Sequence, residues 1–283
     1  MKFGFIVTVG DPRETADLAA QAEAHGWDGV FTWDGIALGE MDTYDPWIVM
    51  TAMAMRTERI RIGAMLTPPS RRRPWKLARE TMTLDRLSGG RLVLPVGLGA
   101  LDDAAFGNVG EPTSARVRAE LLDESLEILE GLWSGRPYAH EGRHYQFGPM
   151  TFRPTPVQQP RIPIWVVGSW PHDRSMQRTL RYDGIIVQTT DPKAIRDIAA
   201  YVEHQRPTSL QGRPFEIIAG DTTPADPREA AKVVRPFADA GATWWLEADW
   251  QRPTVDSQRA RLAAGPPALE SASDRSPASQ RSR

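Results

Sequence analysis

Short, nearly unbroken apolar runs alternate with longer amphipathic stretches from one end of the chain to the other. The runs lie at 2–9, 28–33, 59–67, 91–97, 162–168, 184–188, 215–219 and 243–247. None shows a clean in-and-out alternation, so each reads as a parallel strand covered on both faces. Between them the helix starts repeat one device, in Asp11-Pro12, Asp45-Pro46, Asp191-Pro192 and Asp226-Pro227. Aspartate at an N-cap accepts hydrogen bonds from the free N–H groups of the first turn, and proline next to it has the helical φ and no N–H to leave unpaired. Gly26, Gly131 and Gly241 stand just past apolar-periodic segments, where helices end. Eight strands alternating with helices over roughly 250 residues predict an α/β protein of the (β/α)8 TIM-barrel type. A doubly wound sheet is the alternative. Val9-Gly10-Asp11-Pro12 lacks the glycine fingerprint that such a sheet uses for phosphate, and Gly97-Leu98-Gly99 lacks a third glycine.

Two stretches break the rhythm. Residues 135–161, with Pro137, Gly142 and Gly148, form an insertion after a helix expected over 113–133, and insertions of this kind build lids or rims in barrels. Residues 266–283 hold five serines, three prolines and one large apolar residue, Leu269. That composition predicts a barrel domain over 1–265 and a disordered tail over 266–283.

Composition narrows the function classes. With 283 residues, 41% hydrophobic and 25% charged, the chain has the balance of a globular protein, and a net charge of −2 gives no footprint for nucleic acid or an anionic membrane. No apolar run is long enough to span a bilayer, and Met1 leads straight into a strand-like segment, so a cytoplasmic location is expected. The absence of cysteine removes disulfides, thiolate nucleophiles and cysteine-ligated metals. Only Lys2, Lys76, Lys193 and Lys232 are lysines among 34 cationic residues, which argues against a lysine Schiff base and fits a G+C-rich genome.

His140-Glu141-Gly142-Arg143-His144 matches a zinc-protease pattern that needs both histidines on one helical face. Pro137, Gly142 and the strand-like Tyr138 and Tyr145-Gln146-Phe147 instead predict a hairpin that turns at Glu141-Gly142-Arg143, with no metal site. Trp33-Asp34-Gly35 ends the second run, and in a barrel the C-terminal strand ends face the active site. Asp34 is therefore a candidate acid or base, with capping of the 35–44 loop as its structural alternative. The segment from Trp165 through Gly168, Ser169 and Trp170 to Pro171 runs from a strand toward a helix that opens near Pro171 or Asp173. Free N–H groups there favour a phosphate, unless Gly168 serves the turn alone. Ser70-Arg71-Arg72-Arg73 reads as a solvated rim or as a holder of an anionic substrate or cofactor tail. The charges of the segment from Asp85 to Arg91 are expected to cap and pair structurally.

This last segment carries a family resemblance. Thr57-Glu58-Arg59-Ile60-Arg61-Ile62-Gly63, Pro74, Thr83-Leu84-Asp85-Arg86-Leu87-Ser88-Gly89-Gly90-Arg91-Leu92 and Gly97-Leu98-Gly99, in that order, resemble the luciferase-like monooxygenase family of flavin-dependent oxidoreductases. Gly131-Leu132-Trp133, Glu141-Gly142-Arg143-His144-Tyr145, Arg153-Pro154-Thr155-Pro156-Val157-Gln158, Pro163-Ile164-Trp165-Val166 and Asp183-Gly184 extend the likeness over about 1–250. The resemblance implies an enzyme with a (β/α)8 barrel that binds FMN, or alternatively coenzyme F420, at the C-terminal strand ends. FMN members oxidise a small organic substrate with reduced flavin and oxygen, partnered by a flavin reductase that supplies the reduced cofactor; F420 members transfer hydride without oxygen. By position the resemblance places Gly168, Ser169 and Trp170 at the cofactor phosphate and Met65-Leu66 at a cis non-proline peptide under the ring. It places Leu98 to Asp102, with Gly99 and Ala100, along another side of the ring, and Trp33 joins the cofactor set. Relatives commonly carry Asp-His, with the histidine as acid or base, where this chain has Asp34-Gly35. That leaves Asp34 as the candidate catalytic residue, with substrate assistance, a reaction that needs no acid there, or a flavin binder without turnover as the alternatives. A homodimer is expected through the helices after the second and third strands, because Pro46-Trp47-Ile48-Val49-Met50-Thr51-Ala52-Met53-Ala54-Met55 is apolar almost all round.

Overall fold

The computed structural model describes residues 1–251 and 253–269. Its barrel strands are β1 (Lys2–Ile6), β2 (Gly29–Thr32), β3 (Arg61–Ala64), β4 (Leu94–Val96), β7 (Ile164–Gly168), β8 (Gly184–Val187), β9 (Glu216–Asp221) and β10 (Trp244–Glu247). They pair in parallel in the order β3-β2-β1-β10-β9-β8-β7-β4. Parallel bridges from Ile62 to Leu92 and from Thr67 to Val96 bring β3 against β4 and close the circle. The eight apolar runs are these eight strands, and the barrel rather than the doubly wound sheet is the fold.

The helices are α1 (Pro12–Ala24), α2 (Pro46–Arg56), α3 (Pro74–Leu87), α4 (Ala115–Trp133), α5 (Asp173–Thr179), α6 (Pro192–Gln205), α7 (Pro227–Asp239) and α8 (Val255–Ala263). Asp11, Asp45, Asp191 and Asp226 are N-caps whose side chains accept first-turn N–H groups, each with proline following. Gly26 and Gly241 follow their helices with φ of +83° and +105°. Gly131 does not end a helix. It lies inside α4, whose end falls at Gly135 (φ +68°), and a Cβ on Gly131 would stand 2.5 Å from the Tyr138 ring. Its small size admits a tertiary partner instead.

Strand alternation sorts the core into two shells. Phe5, Val30, Ile62, Val166 and Trp245 face the helices, whereas Phe31, Trp165 and Trp244 fill the barrel interior with ring centroids 5.1–6.3 Å apart. Gly4 and Gly29, paired across β1 and β2, make room for them: a Cβ on Gly4 would lie 2.5 Å from Leu246 and one on Gly29 2.8 Å from Phe31. The aromatic plug fills one end, while Met65 and Val167, both partly exposed, border the C-terminal mouth.

The insertion is an antiparallel hairpin of β5 (Tyr138–Glu141) and β6 (Gln146–Met150). At the C-terminal end Pro267 is buried and Ala268 N–H donates to Pro227 O at 2.9 Å, so packed structure runs past the expected boundary at 265. The remainder of the expected tail, 270–283, lies outside the described residues. Among the described residues no helix is long and apolar enough to cross a membrane.

Candidate active site

The backbone at the end of β3 is pinned on both sides. Met65 N–H donates to Thr32 O of β2 at 2.7 Å, and Thr67 N–H donates to Pro95 O of β4 at 2.9 Å. Between them the Met65–Leu66 peptide is cis, as the family resemblance implies. Leu66 and Val167 close over Gly97, where a Cβ would sit 2.9 Å from one and 3.0 Å from the other. Met65, Leu66 and Val167 thus form a half-exposed apolar shelf at the mouth.

The loop after β4 borders this shelf. Gly99 adopts φ +80°, and a Cβ there would stand 2.7 Å from Phe106, so the turn requires glycine for both conformation and space. Arg118 of α4 donates to Leu98 O at 2.8 Å and Gly99 O at 2.9 Å, fixing the loop, and burial lowers its pKa. The Phe106 ring lies 4.9 Å from the Arg71 guanidinium and 5.5 Å from that of Arg118. Ala100 is exposed at the loop surface.

Asp34 stands at the end of β2, but not as a free acid. Its side chain has 0% exposure and meets Arg71 Nη2 at 3.1 Å and Arg72 Nη2 at 2.8 Å. Arg71 also donates to the Asp34 carbonyl and reaches Asp103 Oδ2 at 2.5 Å. Asp103 accepts the N–H groups of Ile36, Ala37 and Ala105, each at 3.0 Å. Burial pushes the Asp103 carboxyl up, but the Arg71 hydrogen bond and these N–H groups outweigh it and bring its pKa down to about 2. Arg71 and Arg72 therefore point inward, where they join the loops after β2, β3 and β4, and are neither solvated rim nor open anion holders. Only Arg73 of the three is exposed.

Gly35 has no room for a side chain. A Cβ on Gly35 would collide with the Trp33 ring and lie 2.6 Å from Leu38 Cδ1. Trp33, half-buried, donates its indole N–H to Thr8 O at 3.2 Å and packs edge-on against Trp250 at 6.2 Å. Beside it a cavity of about 410 Å³ opens between the ends of β1 and β10 and the loop after β2.

On the opposite side of the mouth, Gly168 is buried, and a Cβ on it would lie 2.7 Å from Ile185 Cγ1. Its smallness serves strand packing as well as the turn. Ser169 N–H donates to Ser175 Oγ at 3.0 Å, so this amide is already bonded, and the Trp170 ring turns to Tyr201 at 5.5 Å. The helix that follows opens at Asp173 and runs only seven residues.

The two histidines of the zinc-like pattern lie on the hairpin, one in β5 and one in its turn. His140 Nε2 meets Glu124 Oε1 at 3.0 Å and His144 Nε2 meets Glu120 Oε2 at 3.2 Å, so each pairs with a glutamate of α4. Glu124 also accepts Tyr145 N–H at 2.7 Å and His144 N–H at 3.0 Å. A groove of about 540 Å³ runs between α4 and the hairpin, away from the shelf residues. Asp85 and Arg91 are structural: Asp85 accepts Val157 and Gln158 N–H groups, and Arg91 donates to the carbonyls of Ala54, Thr57, Ile60 and Ser88.

Fold and mouth together define a (β/α)8 barrel with an apolar shelf over a cis peptide at its C-terminal face. The family model for luciferase-like monooxygenases matches residues 2–277, and the chain belongs to that family. An F420-dependent glucose-6-phosphate dehydrogenase of Nakamurella multipartita is 32% identical over 203 residues, 69% of this chain and 57% of that protein. One of the same name from Nocardia farcinica is 31% identical over 56% of this chain and 48% of its own. The chain spans about half the length of these curated relatives. Among solved structures, a monooxygenase from Streptomyces bottropensis aligns with a TM-score of 0.78 at 20% identity, covering 93% of this chain and 98% of its own. The coenzyme F420-dependent tetrahydromethanopterin reductase of Methanopyrus kandleri aligns at 0.72 and 16%, with the same coverage. These two show the fold.

Proposed function

We propose that the protein is an oxidoreductase that transfers hydride between coenzyme F420 and a small organic substrate, with FMN-dependent oxygenation as the second reading. The observation that carries it is the half-exposed shelf of Met65, Leu66 and Val167 over Gly97, which fits one face of a planar tricyclic ring. F420 takes precedence because the curated relatives at 31–32% identity carry it in their names. When bound, the deazaflavin supplies a hydride donor or acceptor. Met65, Leu66 and Val167 support the ring and keep water from the covered face, and Arg118 holds the Leu98–Gly99 edge in place. Ala100 and Trp33 border the same opening, and Gly168, Ser169 and Trp170 line its far side, the place proposed for the phosphate-bearing tail. Asp34 acts as a positioning residue: it fixes Arg71 and Arg72, and proton exchange with substrate falls to groups around the adjacent cavity or to water.

Separate titrations of the purified protein with F420 and FMN test this. Saturable F420 binding, weakened by Gly97→Leu, with anaerobic hydride transfer from substrate to F420 or from reduced F420 to substrate, supports the first reading. Binding of FMN alone, with turnover that requires oxygen and a flavin reductase, favours the second. Stoichiometric cofactor without turnover on any substrate class points to a flavin-binding protein.

A further inference from the structure

The 410 Å³ cavity at the mouth has two kinds of wall. Met41, Tyr44 and Trp250, all large and substantially exposed, form one; Asp11, Glu14 and Asp42 form the other. Among the described residues that line it there is no lysine, arginine or histidine. Large apolar side chains left in solvent around a concavity mark a binding surface. Flat aromatic walls suit a planar ligand, and three carboxylates around one opening make its potential negative, focused by the apolar wall. A phosphate entering here would shed water and find no cation among the described lining residues in exchange. Nor is a helix end free to receive it, because the first-turn N–H groups of Arg13 and Glu14 are taken by the Asp11 side chain. Glu14 is likewise occupied, since its Oε2 accepts Asp11 N–H at 2.8 Å. Asp42 lies exposed at the lip, outside that cap. An organic cation, by contrast, gains both the carboxylates and the aromatic faces.

We infer that this cavity admits aromatic substrates that are uncharged or cationic and rejects phosphorylated and carboxylated ones, with Asp42 setting the charge preference. The inference rests on the proposed function only in taking the cavity as the substrate side of the mouth.

Three indoles of similar size test it: tryptamine, tryptophol and indole-3-propionate, which carry positive, no and negative charge. Their binding is measured by titration calorimetry on the cofactor-free protein, and again after saturation with whichever of F420 or FMN binds. Tryptamine and tryptophol are expected to bind at least tenfold tighter than indole-3-propionate, with no saturable binding of glucose 6-phosphate, and added salt should narrow the advantage of tryptamine over tryptophol. Asp42→Lys should reverse the order of tryptamine and indole-3-propionate, whereas Trp250→Ala should weaken all three indoles alike. Equal or tighter binding of the anion, saturable glucose 6-phosphate, failure of every indole to bind, or an unchanged order in Asp42→Lys would each overturn the inference. Arg252, between Gln251 and Pro253 in the sequence, lies outside the described residues, and a preference for the anion that disappears in Arg252→Ala would overturn the inference too. The cofactor titration is a separate reading. Protein that binds the indoles in the expected order but neither cofactor overturns the oxidoreductase proposal and leaves the charge selection standing.

Discussion

Two guanidiniums close on the Asp34 carboxylate, and one of them reaches on to Asp103, so two acids and two bases neutralise one another almost without water. Breaking such a set is costly because it strands a buried charge: Arg71→Ala is expected to destabilise the protein by about 3–5 kcal/mol. The folded pKa of Asp103, about 2, lies below the unfolded carboxylate value. Its contribution, on the order of 2 kcal/mol, is therefore present in full above about pH 4 and is lost as the pH falls toward 2. Asp103→Asn should flatten the acid limb of the stability profile in that window, measured by urea melts at stepped pH; parallel profiles in parent and variant would refute this. Gly35→His, the change that restores the family residue, is expected to cost about 1–3 kcal/mol through overpacking against Trp33 and Leu38 and to bring no gain in turnover. A variant that melts with the parent and turns over faster would show that the Trp33 ring yields. Gly168→Ala should couple to Ile185: Ile185→Ala ought to cost less in the alanine background than in the parent, read from a double-mutant cycle.

At the scale of elements, one side chain of α4 secures the hairpin. Glu124 accepts from the backbone of His144 and Tyr145 and from His140, and Gly142 lies so close beneath it that any Cβ there would collide with the carboxylate. Burial pushes its pKa up, but these bonds outweigh burial and bring it below the usual value, so its grip is present above the unfolded glutamate pKa and weakens as the pH falls below it. Glu124→Ala is expected to leave buried donors unpaired at about 1–3 kcal/mol and to open 138–150 to limited proteolysis. A hairpin as resistant as the parent's would show that apolar packing alone holds it. The elements themselves were legible in the chain because their signals are local: an Asp-Pro cap acts within one turn, and a strand buried on both faces must be apolar throughout. What was not legible depends on distant partners. Arg71 and Arg72 look like a solvated run until Asp34, 37 and 38 residues earlier, receives them. Gly131 looks like a helix stop because the Tyr138 ring that needs its missing side chain sits on the hairpin. Nothing near Arg118 in sequence announces that it will hold the carbonyls of Leu98 and Gly99.

For the molecule as a whole, closing the barrel hides the backbone edges of its strands and leaves the helices as its outer surface. Most helices turn mainly polar side chains outward, whereas α2 exposes large apolar ones beside Thr51 and Arg56. It buries Trp47, Met50 and Met53 toward the barrel and still presents Ile48 at 66% and Met55 at 68% exposure, seven residues apart on one face, with Leu87 of α3 exposed as well. Apolar side chains gathered on an outer helix face are unfavourable in water and gain by being covered. A second copy of the chain meeting this one across α2 and α3 would bury the same patch on both sides, as a two-fold interface requires. The protein is expected to be a homodimer, and Ile48→Lys combined with Met55→Lys should make it a monomer in sedimentation equilibrium. Both positions are exposed, so the double variant should melt within about 1 kcal/mol of a parent monomer and keep its cofactor binding if the mouth is built from one chain alone. A parent protein that sediments as a monomer at micromolar concentration would end the proposal, and a variant that stays dimeric would move the interface to another face of the barrel.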